Sequence, residues 1–424
     1  MFFLHLFRRL IPQFLLGNIV FFAAITIGFA DPAYVVEHHD PIQSDASLSL
    51  SKVVDLTLEK YPDVTWLKSL EEEAAAIGRR GDSWTAGALQ AGLRYQEATS
   101  GTLHYIDGDV QVPLWNLGQR DAERTLAKQA EKNTLSQSDA VKLRVAGLVR
   151  GALWNIALAN LSYEQAKIEL AITDQLVAKV QRRVELGDLP RADLLLAQSE
   201  SLQKRSVVTQ AEAELMHARK RYASITQITK IPGDYQEKLA GILKIQQSHP
   251  VLLAINNQIE RKQAELDTIK LIGSGQTAVA VGINSDQFTN DERSNHTASF
   301  NIGVTVPFGG SAHLAPHVAA VNVELNRLIA EREQLSRDLE QAHHEAEHNL
   351  EVNRVELGIA NELKQVAEEH LKMTQASFSV GEINLMDLLR IQSRTQQAVL
   401  NAKQRSIMLQ RDIALYNQAV GVMP

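Results

Sequence analysis

The stretch Gly187-Asp-Leu-Pro-Arg-Ala-Asp193-Leu-Leu-Leu-Ala-Gln-Ser199 returns 194 positions later as Gly381-Glu-Ile-Asn-Leu-Met-Asp387-Leu-Leu-Arg-Ile-Gln-Ser393. Glycine, aspartate, a Leu-Leu pair, glutamine and serine recur in the same places. A long helical pattern precedes each glycine and another follows it. Glycine ends a helix because it takes positive φ without a steric penalty. The polar residues and Pro190 that come next suit the first turn of a new helix. Gly187-Asp188 and Gly381-Glu382 therefore read as the tips of two long helical hairpins within one chain.

The same offset governs what lies upstream. The pairs Val112-Pro113 and Val306-Pro307 are also 194 residues apart, and each closes a segment of period-two alternation. Alternating segments are read at Trp84 to Tyr95, Leu103 to Leu114, Thr277 to Ser285 and Thr297 to Phe308. In the last, Ala298, Phe300, Ile302, Val304 and Val306 fall on one face, and Ser299, Asn301, Gly303 and Thr305 on the other. Polar loops are expected at Gln96 to Thr102 and Asp286 to His296. From Pro113 to Gly187, and from Pro307 to Gly381, there are 74 residues, about 110 Å if helical throughout. Pro316 interrupts the start of the second stretch. Return helices are predicted over Leu194 to Tyr222 and Leu388 to Val420. Each unit opens on a helix with an early proline, Pro62 or Pro250. The domain reading is thus a first repeat over 48–231 and a second over 235–421, in the same order of helix, two strands and helical hairpin. Thr229-Lys-Ile-Pro232-Gly-Asp234 marks the break between them.

Residues 1–30 read as a signal peptide: Arg8 and Arg9, an apolar run from Phe14 to Phe29, then small residues at Gly28-Phe-Ala30. An uncleaved anchor is the other reading of that run. Residues 31–47 read as an extended leader, and no later stretch approaches about 20 apolar residues. The chain of 424 residues has no cysteine, which rules out disulfides, thiolate metal sites and a lipidated N-terminal cysteine. A net charge of −7, interspersed along the chain, argues against nucleic acid as a partner. No G-x-S-x-G, phosphate loop or metalloprotease motif is present, so no enzyme activity and no cofactor are expected.

Strands with one apolar and one polar face fit a sheet between lipid and water. An open four-stranded sheet cannot sit in a bilayer, because its edge amides would go unpaired at several kcal/mol each. Barrels of this kind start at about eight strands, so at least two chains must share one. Helices about 100 Å long would extend from one end of such a barrel and pack into a wall.

This ordered set of motifs, from about Leu48 to Val420, resembles the TolC-like outer-membrane efflux factors. The resemblance implies an α+β membrane protein, a homotrimer whose three chains form one outer-membrane β-barrel with four strands from each. A long α-helical barrel of paired coiled-coil hairpins continues it through the periplasm. It also implies docking onto a periplasmic adaptor and an inner-membrane pump, contact with outer-membrane lipid, and passive conduction of the pump's substrate. The hairpin tips would meet the adaptor, and the strands would end at Pro113 and Pro307. Asp387 matches an aspartate that rings the closed entrance in such proteins. The second acid of that ring is Arg390 here, which suggests an Asp–Arg ring. Asp193 matches an aspartate that helps latch the tunnel. The matching latch tyrosine and arginine are Phe378 and Ile383, so the latch chemistry must differ. Both aspartates also suit helix capping, with Asn384 as N-cap before Asp387. Among the 13 histidines, His344 and His348 stand one helical turn apart, a spacing that can hold a divalent metal but lacks an evident third ligand. With His38-His39-Asp40, they keep a metal ion beside drugs among the conceivable cargoes. The rival function is a periplasmic coiled-coil scaffold or adaptor without a pore.

Overall fold

A computed structural model describes residues 42–290 and 293–424. The expected signal peptide, and the leader as far as residue 41, lie outside the described residues. The elements run β1 (Gln43–Asp45), α1 (Leu50–Lys60), α2 (Asp63–Asp82), β2 (Gln90–Glu97), β3 (Leu103–Pro113), α3 (Gln119–Glu185), α4 (Arg191–Thr226), β4 (Lys230–Pro232), α5 (Pro250–Ile272), β5 (Ala278–Asn290), β6 (Arg293–Thr305), α6 (Ser311–Ser379) and α7 (Leu385–Ala419). Helices α3 and α6 have 67 and 69 residues, about 100 Å each. Pro316 is carried inside α6 instead of interrupting it.

Strands β2, β3, β5 and β6 form one antiparallel sheet in that order. Its register aligns the alternating pattern across all four strands. Leu93 and Tyr95 share a face with Ile106 and Val110, then Val281 and Ile283, then Phe300 and Ile302. Many of these side chains are open to the surroundings, Leu93 by 83% and Phe300 by 65%. The opposite face carries Arg94, Asp107, Asp109, Asn284 and Asn301. There the Asn301 side-chain amide donates to Asp107 at 3.1 Å, across the 194-residue repeat offset. Register places Gly282 on this polar face, where a Cβ would come within 2.5 Å of Asn301 Oδ1 and 2.8 Å of the Gly108 carbonyl oxygen, so the position takes glycine.

Several expectations about the strands are corrected or refined. The first strand begins at Gln90, not Trp84. Residues 84–89 instead fold over the end of β3, with Ala86 N–H donating to the Pro113 carbonyl at 3.1 Å and Trp115 Nε1 to that of Ser83 at 3.1 Å. The polar run Asp286 to His296 is mostly paired strand, since β5 and β6 hold register out to Asn290 and Arg293. Strand pairing needs only backbone groups, so a polar run can extend a ladder beyond its apolar belt. The Thr229 to Asp234 break contains strand β4, which pairs in parallel with β1 at the end of the leader. In addition, Pro113 is the last residue of β3, whereas Pro307 lies two positions past β6.

The helices form a layer. Nearest the sheet, α2 packs on α3, α3 on α5, and α5 on α6. Farther away, α4 packs on α3, α3 on α7, and α7 on α6. Midway along the layer Val53 and Val54 of α1, Val145, Val149 and Leu153 of α3, and Tyr222 of α4 make the largest apolar cluster. Residues 235–249 have no helix corresponding to α1. They cross the layer as a strap: Asn417 accepts from Ala240 N–H at 2.9 Å, and Tyr416 Oη donates to the Ile242 carbonyl at 2.7 Å. Arg150 of α3, with its side chain fully buried, anchors this strap. Its Nε and Nη2 donate to Glu237 at 2.8 and 2.7 Å, Nη1 to Gln418 at 2.6 Å, and Nη2 also to the Val422 carbonyl at 3.0 Å.

Arg150→Ala removes the counter-charge of the Glu237 carboxylate, whose side chain is only 12% exposed, and leaves it the Asn417 amide as a donor. It should cost about 3–5 kcal/mol, measured by denaturant unfolding. His249 Nδ1 caps α5 by accepting from Val251 N–H at 3.3 Å, and burial pushes this imidazole below the usual histidine value. The unfolded chain therefore takes up that proton first. Stability should fall as pH drops below about 6.5, and His249→Asn, which keeps a cap acceptor, should flatten that part of the pH–stability curve.

Candidate functional site at the hairpin tips

Both tip turns are Schellman motifs, with matching hydrogen bonds. Gly187 has φ of 78° and Gly381 has φ of 81°. Gly187 N–H donates to the Val184 carbonyl at 3.0 Å and Asp188 N–H to that of Arg183 at 2.9 Å. In the second tip Gly381 N–H donates to Phe378 at 3.2 Å and Glu382 N–H to Ser377 at 2.9 Å. These bonds satisfy carbonyls that a helix end otherwise leaves unpaired. Asp188 and Glu382 thus owe their places to backbone geometry and leave their carboxylates at the surface.

The next helices start differently in the two copies. Asn384 Oδ1 accepts from Asp387 N–H at 2.8 Å, the side-chain N-cap expected for α7. Pro190 precedes α4 and offers no side-chain cap, so Asp193 N–H donates to the Pro190 carbonyl at 3.1 Å. Both aspartates sit in first turns, where the helix dipole favours an acid. Asp387 and Arg390 are exposed and Asp193 is half-buried. Among the described residues none of the three makes an ion pair inside the chain, so a ring built from Asp387 and Arg390 would draw on other copies.

Phe378 and Ile383 join the two tips through apolar packing. Leu176 and Val180 of α3, Ala197 of α4, Phe378 of α6 and Leu385 and Leu388 of α7 form one buried cluster, with Ile383 against it. Phe378 is only 8% exposed. Burying such a side chain is worth about 1.5–3 kcal/mol. A polar residue that sequence reasoning passed over also reaches this cluster: Arg183 lies over the Phe378 ring and donates to the Phe378 carbonyl. Its only sequence signal was a basic residue in a last helical turn, which the helix dipole explains by itself. Beside it lies a cleft of about 480 Å³, lined by Leu176, Lys179, Arg182, Phe378, Leu388 and Gln392 among others. The His344 and His348 rings are stacked with centroids 6.4 Å apart. Among the described residues they belong to no group of three or more metal-binding side chains. No helix among those residues is long and apolar enough to cross a membrane.

No protein-family model matches the chain, and no curated protein matches it by sequence. Solved structures do match it in fold. CusC, studied for its folding and transmembrane channel formation, aligns at a TM-score of 0.67 and 12% identity, over 88% of this chain and 92% of its own. VceC, an outer membrane protein of Vibrio cholerae, aligns at 0.66 and 13% identity, over 88% and 97%. The open state of the MtrE outer membrane channel of Neisseria gonorrhoeae aligns at 0.65 and 15% identity, over 88% and 89%. The chain has the fold of these outer-membrane proteins nearly end to end.

The tip geometry yields a testable cost. Gly381→Val should destabilise the fold by about 1–2 kcal/mol, because valine resists positive φ, while Asn384→Ala should cost about 1 kcal/mol through the lost cap. Thermal unfolding of the two variants measures both, and equal stability of Gly381→Val and the parent would contradict the turn assignment.

Proposed function

We propose that this chain is the outer-membrane channel component of a tripartite export system. In this reading it conducts substrate passively from an inner-membrane pump and a periplasmic adaptor, and catalyses nothing. The observation that carries the proposal is the four-stranded sheet, with a continuous exposed apolar face, a polar opposite face and two open edges, β2 and β6. Lipid suits the first face and a watery lumen the second, and unpaired edges are not tolerated in hydrocarbon. A homotrimer joins β6 of each copy to β2 of the next and closes twelve strands. The helical layer is unfinished in the same sense. Its edge helix α6 exposes Val355, Ile359, Val366 and Met373 by 60–65%, a stripe that the α2 and α4 edge of a neighbouring copy would cover. Contiguous apolar surface of this extent marks an interface.

On this reading the sheet lies in the outer membrane, the helices cross the periplasm, and the tips at Gly187–Asp188 and Gly381–Glu382 meet the adaptor. Three copies of Asp387, with Arg390 and Asp193 nearby, would surround the entrance. Ionised carboxylates around one axis repel one another and attract cations. The fold likeness to outer-membrane channels supports this reading over a pore-free periplasmic scaffold.

Three measurements test the proposal. Recovery of the protein in the soluble periplasmic fraction would favour the scaffold. Because the native chain lacks cysteine, a cysteine at Arg94 of β2 can be scanned against single cysteines along β6. A ladder ending at three chains is expected, and no interchain disulfide at any register would count against barrel closure. Asp387→Ala should raise single-channel conductance and weaken block by multivalent cations, whereas an unchanged channel would leave Asp387 as a helix-capping residue.

A further inference from the structure

The cleft between α3 and the α6–α7 hairpin has a composition unlike the rest of this acidic chain, whose net charge is −7. At about 480 Å³ it falls in the size range of small-molecule sites. Its floor is apolar, built from Leu176, Phe378 and Leu388, each no more than 8% exposed. Lys179, Arg182 and Arg183 line it as well, and among the described residues no carboxylate does.

The helix end accounts for two of these cations and not for the third. Arg182 and Arg183 lie in the last turn of α3, where the dipole favours a positive charge. Arg182 also reaches Glu185 at 3.4 Å, and Arg183 reaches Asp188 at 2.5 Å. Lys179 lies farther back, outside the reach of that dipole, and among the described residues no carboxylate pairs with it. The 194-residue offset sets Lys179, Arg182 and Arg183 against Met373, Ala376 and Ser377. The cations are therefore no part of the duplicated hairpin pattern.

Gln392 of α7 points to the same cleft independently. It lines the cleft and is only 5% exposed, yet its side-chain amide has no hydrogen-bond partner among the described residues. An unpaired amide at such a depth is costly, and a ligand oxygen that accepts from it removes the cost.

We propose that this cleft binds an amphipathic organic anion, a carboxylate or sulfonate carried on an apolar ring or short chain. The anionic group meets Lys179 and Arg182, and the Gln392 amide donates to its oxygens. The apolar body lies on Leu176, Phe378 and Leu388. Most of the length of α3, about 100 Å, separates the cleft from the sheet. The ligand is therefore a soluble molecule, out of reach of any bilayer that the sheet occupies. The inference rests on the cleft alone and does not depend on conduction.

The test titrates naphthalenesulfonate into the full-length protein in phosphatidylcholine nanodiscs, followed by calorimetry, with empty nanodiscs as the blank. Saturable binding of one anion per chain is expected. The matched cation, naphthylmethyl-trimethylammonium, should bind at least about tenfold more weakly. Lys179→Glu changes an exposed side chain, so the fold survives, and it should weaken the anion about tenfold or more. Lys179→Arg should retain binding, and Gln392→Leu should weaken it less than Lys179→Glu does. Equal affinity for anion and cation overturns the proposal, as does binding indifferent to Lys179→Glu, because each leaves only apolar adsorption. Absence of saturable binding also overturns it and leaves the cleft to a protein partner. Fractionation and conductance decide the channel reading separately, so failure of one proposal is distinguishable from failure of the other.

Discussion

Backbone hydrogen bonding at the two open edges of a four-stranded sheet is the constraint on which the rest of this chain depends. Among the described residues, strands β2 and β6 are the two edges of the sheet, each with no strand paired on its outer side. In water such an edge is a hazard for aggregation, and in lipid each unpaired group costs several kcal/mol. The exposed apolar face directs the sheet toward lipid, and a four-stranded sheet is too narrow to close on itself. The proposed trimer would complete both the sheet, at twelve strands, and the helical layer with one symmetry. The same reasoning accounts for the apolar stripe on α6, which serves no purpose within a single chain.

Between sheet and tips the chain is held by two joints of different chemistry. At the middle of the layer Arg150 gathers the strap at Glu237, Gln418 and the Val422 carbonyl in a dry environment. A buried ion pair of this kind is weak as a net source of stability but costly to break, which suits a joint that fixes where three segments meet. At the tips the joint is mostly apolar, with the Arg183 guanidinium laid across it. The contrast is between a buried polar joint at the middle and a mostly apolar one at the tips.

The duplicated turn was legible because glycine at positive φ, an acid in the next first turn and a helical pattern on either side are all local signals. The Val-Pro pairs and the clean alternation of β6 were legible for the same reason. The start of β2 was not, because Trp84 to Leu89 alternate like a strand while their hydrogen bonds go to the β3 terminus. Nor was the extension of β5 and β6 through Asp286 to His296, since ladder pairing uses backbone groups that side-chain patterning does not report. The short β1–β4 pair joins residues far apart in sequence, and no local pattern marks it.

The sequence by itself determined the repeat, the sense of each element, the two faces of the sheet and the tip turns, because these follow from residue periodicity and from glycine's freedom at positive φ. Only the tertiary structure decided how the two tips are joined. Phe378 and Ile383, read in sequence as the loss of polar latch groups, become part of a buried cluster once α3 and α6 end side by side. Arg183, unremarkable in a last helical turn, becomes the link between them. Such a contact depends on the distance between two helix ends more than 190 residues apart, here 195 for Arg183 and Phe378, and that distance is set by packing along the whole helical layer.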